Sequence, residues 1–266
     1  MSEAVNSTSP SGSIPGHQSL ITDPRVGPGE DAGLAIDRAR LAASAHAASL
    51  VQQDMIVGLG SGRASTAVIR ELGRRIREDG LRFTGVPTSE PSRAVALEAY
   101  IPLALSDEVS RLDLTLDGAD EADSALNVTK GGGGALVREK LLARASTQLA
   151  LVIETPKHVA RLGRFPVPVA VIPFAWRSTR ERVLRHCVGA SLRMGGERRP
   201  YITDDGLFIL DLQTGPIDDP SVLEQALKAE VGVVEVGLFV GLCDLLIIGR
   251  EDGSVDEIHR PGRQDD

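Results

Sequence analysis

Short apolar runs alternate with amphipathic stretches from residue 55 to residue 154, and this alternation constrains the fold more than any other feature of the sequence. The run MIVGL at 55–59 predicts a strand, whereas apolar residues at every fourth position from Ala64 predict a helix. The same reasoning predicts strands at 81–86, 112–116 and 148–154 and helices at 92–100 and 135–146. Strands that alternate with helices need crossover connections, so the sequence predicts an α/β fold with a mostly parallel sheet and helices on both faces.

The remaining parts of the chain differ from this region in composition. Residues 1–30 are rich in Ser, Pro and Gly and lack apolar periodicity, which predicts a disordered N-terminal tail before a helix at 31–53. The run FPVPVAVIPF at 165–174 contains three prolines, which favour a domain junction or an edge strand over a central strand. The pattern that follows it predicts helix 179–188, strand or hairpin 199–212, helix 220–229 and strand 233–240.

A last apolar run, LCDLLIIG at 242–249, predicts a buried strand that returns to the first sheet. The chain is therefore expected to form two domains between two tails. The expected divisions are a tail at 1–30, a larger domain from 31–164 and 241–256, a smaller α+β domain at 165–240 and a C-terminal tail at 257–266.

Charge and composition exclude several classes of function. The formal net charge of −8 and the aromatic content of 3% argue against a nucleic-acid partner, which requires a positive surface or aromatic stacking platforms. No apolar stretch reaches the roughly 18 residues that a membrane span needs, and no basic segment followed by an apolar run marks a secretory signal. None of the five histidines has a metal-ligand spacing. We therefore expect a cytoplasmic protein without a membrane partner or a metal site.

The segment GLGSG at 58–62 joins the first predicted strand to the helix that follows it. Glycines at such a junction leave backbone N–H groups free at the helix N-terminus, where the helix dipole favours an anion such as phosphate. Arg63 stands where a dinucleotide-binding GxGxxG loop needs its third glycine, and no Walker A pattern follows. The segment is therefore either an anion site, which Ser61 and Arg63 favour, or a tight turn that binds nothing.

The acidic run DGADEAD at 117–123 directly follows a predicted strand. Carboxylates at the C-terminal end of a parallel strand lie where open α/β sheets bind ligands. A solvated turn is the alternative, because Asp-Gly is common in turns and acidic runs usually face water. The run does not fit the calcium-loop pattern, which argues against a metal.

The segment KGGGGALVREK at 130–140 carries four consecutive glycines directly before a predicted helix. Such a run is costly to order, so it indicates a backbone that must approach a ligand closely, with a flexible linker as the alternative. Glu139 falls within the apolar stripe of this helix, whereas Lys140 is expected to point elsewhere. Partial burial raises the pKa of a carboxyl toward the range of a general base, so Glu139 is either such a base or part of a structural ion pair.

Taken together and in this order, GLGSGRAS, DGADEAD, KGGGGALVREK and ETPKHV closely resemble the type A ribose-5-phosphate isomerase family. The resemblance extends from about residue 34 to about residue 255 and includes FPVPVAVIP and GVVEVGLF. It implies a Rossmann-like domain with a smaller α+β (ferredoxin-like) lid domain, a homo-oligomer (dimer or tetramer) and no cofactor. It also implies the interconversion of ribose 5-phosphate and ribulose 5-phosphate through an enediol.

The resemblance further implies roles for individual residues. Glu139 resembles the base that moves a proton between the two sugar carbons, and Lys130 resembles the residue that stabilises the enediolate oxygen. Asp117 and Asp120 resemble carboxylates that handle hydroxyl protons and ring opening. The residues that match the substrate-binding stretches are Ser61, Gly62, Arg63, Ala64, Gly118, Ala119, Gly131, Gly132, Gly133 and Lys157.

Two segments depart from the pattern of that family. Its first loop usually reads G-x-G-T-G-S-T, and here Ser61 keeps the first hydroxyl while Arg63 and Ala64 replace the later pair. The serine-rich stretch after the next strand reads VPTSEPS, at 86–92. Arg63 either replaces the lost hydroxyl contacts with a charged contact, or the loop holds a different ligand. The alternatives are therefore another sugar-phosphate isomerase, an amino-sugar-phosphate deaminase, or a non-catalytic sugar-phosphate sensor.

Overall fold

The structure is a computed structural model that describes residues 28–261, with side chains described from residue 33. The helices within these residues are α1 (Pro28–Ser49), α2 (Arg63–Asp79), α3 (Glu90–Glu98), α4 (Leu136–Ala145), α5 (Trp176–Val183) and α6 (Pro220–Lys228). The strands are β1 (Ile56–Leu59), β2 (Thr84–Pro87), β3 (Leu112–Gly118), β4 (Glu121–Ala122), β5 (Val128–Thr129), β6 (Ser146–Glu154), β7 (Val167–Val171), β8 (Gly189–Leu192), β9 (Phe208–Gln213), β10 (Val233–Val236), β11 (Leu238–Phe239), β12 (Leu245–Gly249) and β13 (Val255–His259).

The largest sheet has six strands in the order β13-β12-β6-β3-β1-β2. Neighbouring strands are parallel except for the edge pair β12 and β13, which is antiparallel. Alternate residues of β6 belong to opposite apolar clusters, Ala150 and Val152 to one and Leu149 and Leu151 to the other. A parallel strand that is buried on both faces reads as a continuous apolar run, as β6 does. The predicted α/β fold is confirmed, including the return of 242–249 to this sheet as β12.

Residues 167–236 supply a separate antiparallel sheet with the order β10-β7-β9-β8. This sheet shares its own apolar cluster with α5 and α6, whereas α1, α2 and α3 pack on one face of the large sheet. A third, three-stranded sheet has the order β11-β5-β4. The separate apolar clusters support the domain division expected at 165–240, which stays a prediction.

Strand β7 corrects one expectation, because it lies between β10 and β9 and is a central strand despite Pro168. The N–H and C=O of a strand residue point to the same side, and the Pro168 carbonyl accepts from the N–H of Gly237, 2.7 Å away. The missing N–H of Pro168 therefore faces the region just beyond the end of β10. There the Gly237 carbonyl accepts instead from the N–H of Lys130, at 2.8 Å, so no backbone group loses its partner.

The ends of several elements differ from the predicted ones. Helix α1 begins at Pro28, before the predicted start, and the rest of the predicted N-terminal tail lies outside the described residues. The predicted start of the C-terminal tail at residue 257 is too early in the chain, because β13 pairs with β12 as far as His259. The two-residue strands β4 and β5 are too short to show a period and were not predicted. Strands β8 and β13 were not predicted either. No helix within residues 28–261 combines the length and the apolar character that a membrane crossing requires.

Helix α1 lies very close to the large sheet at Gly249, the last residue of β12. A β-carbon built on Gly249 would lie 2.0 Å from the carbonyl oxygen of Ala39 in α1. The backbone of α1 therefore lies directly on the backbone of β12, and only glycine leaves room for this contact. Gly33 offers a contrast within the same helix, because a β-carbon there meets nothing within 4 Å.

We expect Gly249→Ala to lower the free energy of unfolding by about 1–3 kcal/mol, because the added methyl group must displace a helix backbone. Gly33→Ala is the matched control, and we expect it to raise the free energy of unfolding by about 0.5–1 kcal/mol, since it replaces glycine in an exposed helix. Urea denaturation of the two variants and the wild type measures both effects. Unchanged stability in Gly249→Ala would contradict the close contact of α1 with β12.

Candidate active site

A cavity of about 550 Å³ opens at the carboxyl ends of β1, β3 and β6. The order of the large sheet reverses between β1 and β3, and open α/β sheets bind their ligands at such a point. The residues that line the cavity are Ser61, Gly62, Arg63, Ala64, Gly118, Ala119, Asp120, Lys130, Gly131, Gly132, Gly133, Glu139, Lys157 and Phe165. The structure thus brings together every residue predicted for the site except Asp117, which lies behind the cavity wall.

Backbone N–H groups face the cavity at the N-terminus of α2. Gly62 precedes this helix with a φ of 95°, and the first helical hydrogen bond runs from the N–H of Thr66 to the carbonyl of Gly62. The N–H groups of residues 63–65 therefore have no acceptor within the helix, which makes this end favourable for an anion. Arg63 is exposed at the same end, and its side chain forms no ion pair within the described part of the chain.

Four hydroxyl groups meet beside this helix end and form a hydroxyl cluster of Ser61, Thr88, Ser89 and Ser92. The Ser61 Oγ lies 2.8 Å from Thr88 Oγ1, 2.7 Å from Ser89 Oγ and 3.1 Å from Ser92 Oγ. The cluster is tied to the backbone of the β1 loop, because the Ser92 hydroxyl donates to the carbonyl of Gly60 at 2.7 Å. The VPTSEPS stretch therefore holds the first loop in place.

Asp117 is a buried carboxylate at the end of β3, with 1% of its surface exposed. Its Oδ1 accepts from the N–H of Ser61, the N–H of Gly118 and the hydroxyl of Ser65, at 3.1, 2.7 and 3.0 Å. Its Oδ2 lies 2.9 Å from the Nζ of Lys130. Both oxygens are thus occupied by protein groups, and Asp117 joins the β1 loop to Lys130.

Lys130 and Glu139 lie together at the floor of the cavity, each with 3% of its surface exposed. The Lys130 Nζ lies 3.4 Å from Glu139 Oε2 and donates to the carbonyl of Gly118 at 2.5 Å. The Oε2 of Glu139 has no hydrogen-bond partner among the described residues. The Glu139 carboxyl therefore lines the cavity directly beside a fixed ammonium group.

The pKa values of Glu139 and Lys130 both differ from their ordinary values. Burial raises the pKa of Glu139 to about 8, because desolvation and the carboxylates of Asp117 and Asp120 outweigh the attraction of Lys130. Burial alone lowers the pKa of Lys130, but the carboxylates of Asp117 and Glu139 outweigh it and hold this pKa above its usual value. The site therefore combines a permanent cation with a carboxylate of raised basicity.

The glycine run passes close to Asp120 and to Tyr201, which lies in the loop between β8 and β9. The Asp120 Oδ2 accepts from the N–H of Gly132 at 2.7 Å, and a β-carbon on Gly132 would lie 2.6 Å from this carboxylate. Gly134 has a φ of 91°, and a β-carbon there would lie 2.3 Å from the hydroxyl oxygen of Tyr201. Gly132 and Gly134 are thus required by close approach to protein groups, whereas a β-carbon on Gly133 would meet nothing within 4 Å.

Two contributors were not predicted from the sequence. Phe165 lines the cavity, and nothing in its local pattern marks it apart from its place before the proline-rich strand. Lys140, which the periodicity places off the apolar stripe of α4, does not line the cavity but is 5% exposed, and its burial was not predicted. Its Nζ lies 2.7 Å from Glu224 and 3.0 Å from Glu235, and it donates to the carbonyl of Val236. Helix periodicity cannot reveal that a second sheet covers this face.

A comparison with protein families matches residues 84–253 to ribose 5-phosphate isomerase A (phosphoriboisomerase A). A ribose-5-phosphate isomerase A from Ruegeria sp. (strain TM1040) is 46% identical over 228 residues, which cover 83% of this chain and 87% of the relative. The enzyme of the same name from Synechococcus sp. (strain JA-3-3Ab) is 46% identical over 219 residues, which cover 82% of this chain and 95% of the relative.

Solved structures give the same result. The ribose 5-phosphate isomerase A of Methanocaldococcus jannaschii superposes with a TM-score of 0.79 at 36% identity, over 84% of this chain and 99% of that one. A D-ribose-5-phosphate isomerase solved in complex with phospho-erythronic acid superposes with a TM-score of 0.81 at 35% identity, over 85% of this chain and 99% of that one.

The raised pKa of Glu139 predicts how the stability of the protein depends on pH. In the unfolded chain a glutamate loses its proton near its ordinary value of 4.5, whereas Glu139 in the folded protein keeps it to about pH 8. Its contribution to stability is therefore present at low pH and is lost as the pH rises through this window. Relative to Glu139→Gln, the wild type should lose unfolding free energy between pH 5 and pH 8. Urea denaturation at several pH values measures the difference, and a constant difference would contradict the raised pKa.

Proposed function

The chain belongs to the ribose 5-phosphate isomerase A family of aldose–ketose isomerases, and we propose that Glu139 is the base of its ribose 5-phosphate isomerisation. The observation that carries this proposal is the buried pair of Glu139 and Lys130 in the cavity floor, 3.4 Å apart. A base with a pKa near the working pH is the most effective proton carrier, and burial brings Glu139 into that range.

The reaction moves one proton between neighbouring carbons. Glu139 as carboxylate removes the proton from C2 of the open-chain aldose, and the electron pair moves into a C1–C2 double bond while the C1 oxygen becomes negative. A proton then moves from the C2 hydroxyl to the C1 oxygen, so that the negative charge passes to the C2 oxygen. The same carboxyl delivers its proton to C1 as the C2 carbonyl forms, which yields the ketose with its C1 hydroxyl. The Lys130 ammonium group stabilises the enediolate oxygen, because a fixed charge in a water-poor site acts without reorganisation.

The two aspartates support this chemistry from different positions. Asp120 lines the cavity, so we propose that its carboxylate exchanges hydroxyl protons with the substrate and assists ring opening. The same role was expected of Asp117, and it stays a prediction. The carboxylate of Asp117 does not line the cavity. Its ion pair with Lys130 supports a part in holding the ammonium group.

We assign the phosphate of the substrate to the end of the cavity formed by the N-terminus of α2, Arg63 and Lys157. The N-terminus of α2 and both cationic side chains line the same cavity, which suits a dianion. The relative solved with phospho-erythronic acid held a phosphorylated sugar acid. We further propose a cytoplasmic homo-oligomer that works in the non-oxidative branch of the pentose phosphate pathway.

Purified protein should convert ribose 5-phosphate to ribulose 5-phosphate in the presence of EDTA, measured by ketose formation. Glu139→Gln should lower kcat by about 10²–10⁴-fold, because it removes the base and keeps the shape, while KM changes little. Glu98→Gln, on the exposed face of α3, is the control and should keep wild-type activity. Activity in Glu139→Gln close to that of the wild type would contradict the assignment of the base.

Arg63→Ala should raise KM for ribose 5-phosphate about three- to tenfold and leave kcat within about twofold, since a phosphate contact is equal in the ground and transition states. Arg70→Ala is the matched control, because Arg70 is also exposed on α2 but lies two turns away from the cavity. Steady-state kinetics measures both variants. An unchanged KM in Arg63→Ala would show that the arginine does not contact the phosphate.

A further inference from the structure

Glu154 is a buried carboxylate at the end of β6 that lies between two cations. Its side chain is 5% exposed, its Oε2 lies 3.1 Å from the Nζ of Lys157, and its Oε1 accepts from the Nε of Arg40 at 2.5 Å. Lys157 lines the cavity, whereas Arg40 belongs to α1 and lines a groove between α1 and α2 that shares Gly62 and Arg63 with the cavity. Glu154 itself lines neither space.

The backbone after β6 folds Lys157 back onto this carboxylate. Residues Thr155–Lys157 form a single turn of 3₁₀-helix, and the N–H of His158 donates to the carbonyl of Thr155 at 3.0 Å. The Thr155 hydroxyl donates to the carbonyl of Gly249 at 3.0 Å, which fastens the turn to β12. A lysine side chain is otherwise flexible, so the ion pair with Glu154 is what fixes its ammonium group.

The charges of this group leave a positive excess. Two cations share the Glu154 carboxylate, and the second carboxylate near Arg40, that of Asp37, is 62% exposed and screened by water. Burial by itself raises the pKa of Glu154. The nearby cations Lys157 and Arg40 together have the larger, opposite effect and hold this pKa below its usual value. Because Arg40 offsets the carboxylate, the charge of Lys157 stays available to an anion in the cavity.

We propose that Glu154 is a positioning residue for this isomerase: it fixes the ammonium group of Lys157 at the phosphate end of the cavity. Arg40 supplies the opposite charge, which prevents Glu154 from neutralising Lys157. This inference rests on the proposed phosphate site and adds to it two residues that do not touch the substrate. A fixed ammonium group binds phosphate more tightly than a mobile one, because less side-chain freedom is lost on binding.

The test is a double-mutant cycle of Glu154→Gln and Lys157→Ala, with KM, kcat and the inhibition constant of inorganic phosphate as readouts. Glu154→Gln should raise KM and the phosphate inhibition constant about five- to tenfold, with kcat within about twofold. In the Lys157→Ala background the same substitution should change KM less than about twofold, because the group that it positions is gone. Circular dichroism and urea denaturation establish that each variant is folded.

Two further variants separate position from general effects. Glu154→Asp keeps the carboxylate, and we expect KM within about twofold of wild type, because the long Lys157 side chain can follow a carboxylate one methylene shorter. Asp37→Asn is the control, since it removes a charge from Arg40 without contact with Lys157, and it should leave KM unchanged. Rescue by aspartate also keeps the proposal testable if Glu154→Gln does not fold.

The possible outcomes distinguish the two proposals. If the changes in KM caused by Glu154→Gln and Lys157→Ala multiply in the double variant, the positioning role is overturned and the proposed function stays intact. A lowered KM in Glu154→Gln would have the same meaning. An unchanged KM in Lys157→Ala would overturn both the phosphate contact and the positioning role. Absence of turnover in the wild type would instead contradict the proposed function itself.

Discussion

The Lys130 ammonium group lies in a region from which water is almost fully excluded, and a charge in such a place is tolerated only when opposite charges and hydrogen-bond acceptors surround it. Asp117 supplies the charge and the Gly118 carbonyl supplies an acceptor. Because Asp117 also accepts from the backbone of the β1 loop, the N-terminus of α2 is placed by the same group. The cavity walls and the chemistry on its floor thus depend on one buried ion pair.

The sequence predicts the parts of this arrangement that depend on local pattern. The alternation of apolar and amphipathic stretches predicts the parallel sheet, and the loops at 61–64, 118–120 and 131–133 follow from glycines and carboxylates at strand ends. Parallel topology then brings these loops to one edge without further information. Glu139 could be singled out because a lone carboxylate interrupts an apolar helix stripe, and its burial agrees with that interpretation.

The features that could not be predicted depend on contacts between segments distant in sequence. Pro168 argues against a central strand because it has no N–H to donate. In the structure the N–H of Lys130 donates to the Gly237 carbonyl in its place, and no local pattern shows this. Helix periodicity places Lys140 on a polar face of α4, yet the antiparallel sheet covers this face and Lys140 is buried. The pairing of Glu154 with Arg40, 114 residues apart, likewise has no local signal. Local patterns predict which loops form the site, whereas distant pairs decide how firmly each group is held.

Glu139 and Lys140, which are adjacent in α4, contact different parts of the structure. Glu139 faces the cavity, while Lys140 is enclosed by Glu224, Glu235 and the carbonyls of Val236 and Leu238. Separating the antiparallel sheet from α4 would leave this ammonium group without its acceptors, at a cost typical of a broken buried ion pair. The sheet and the helix that carries the base therefore move as one body.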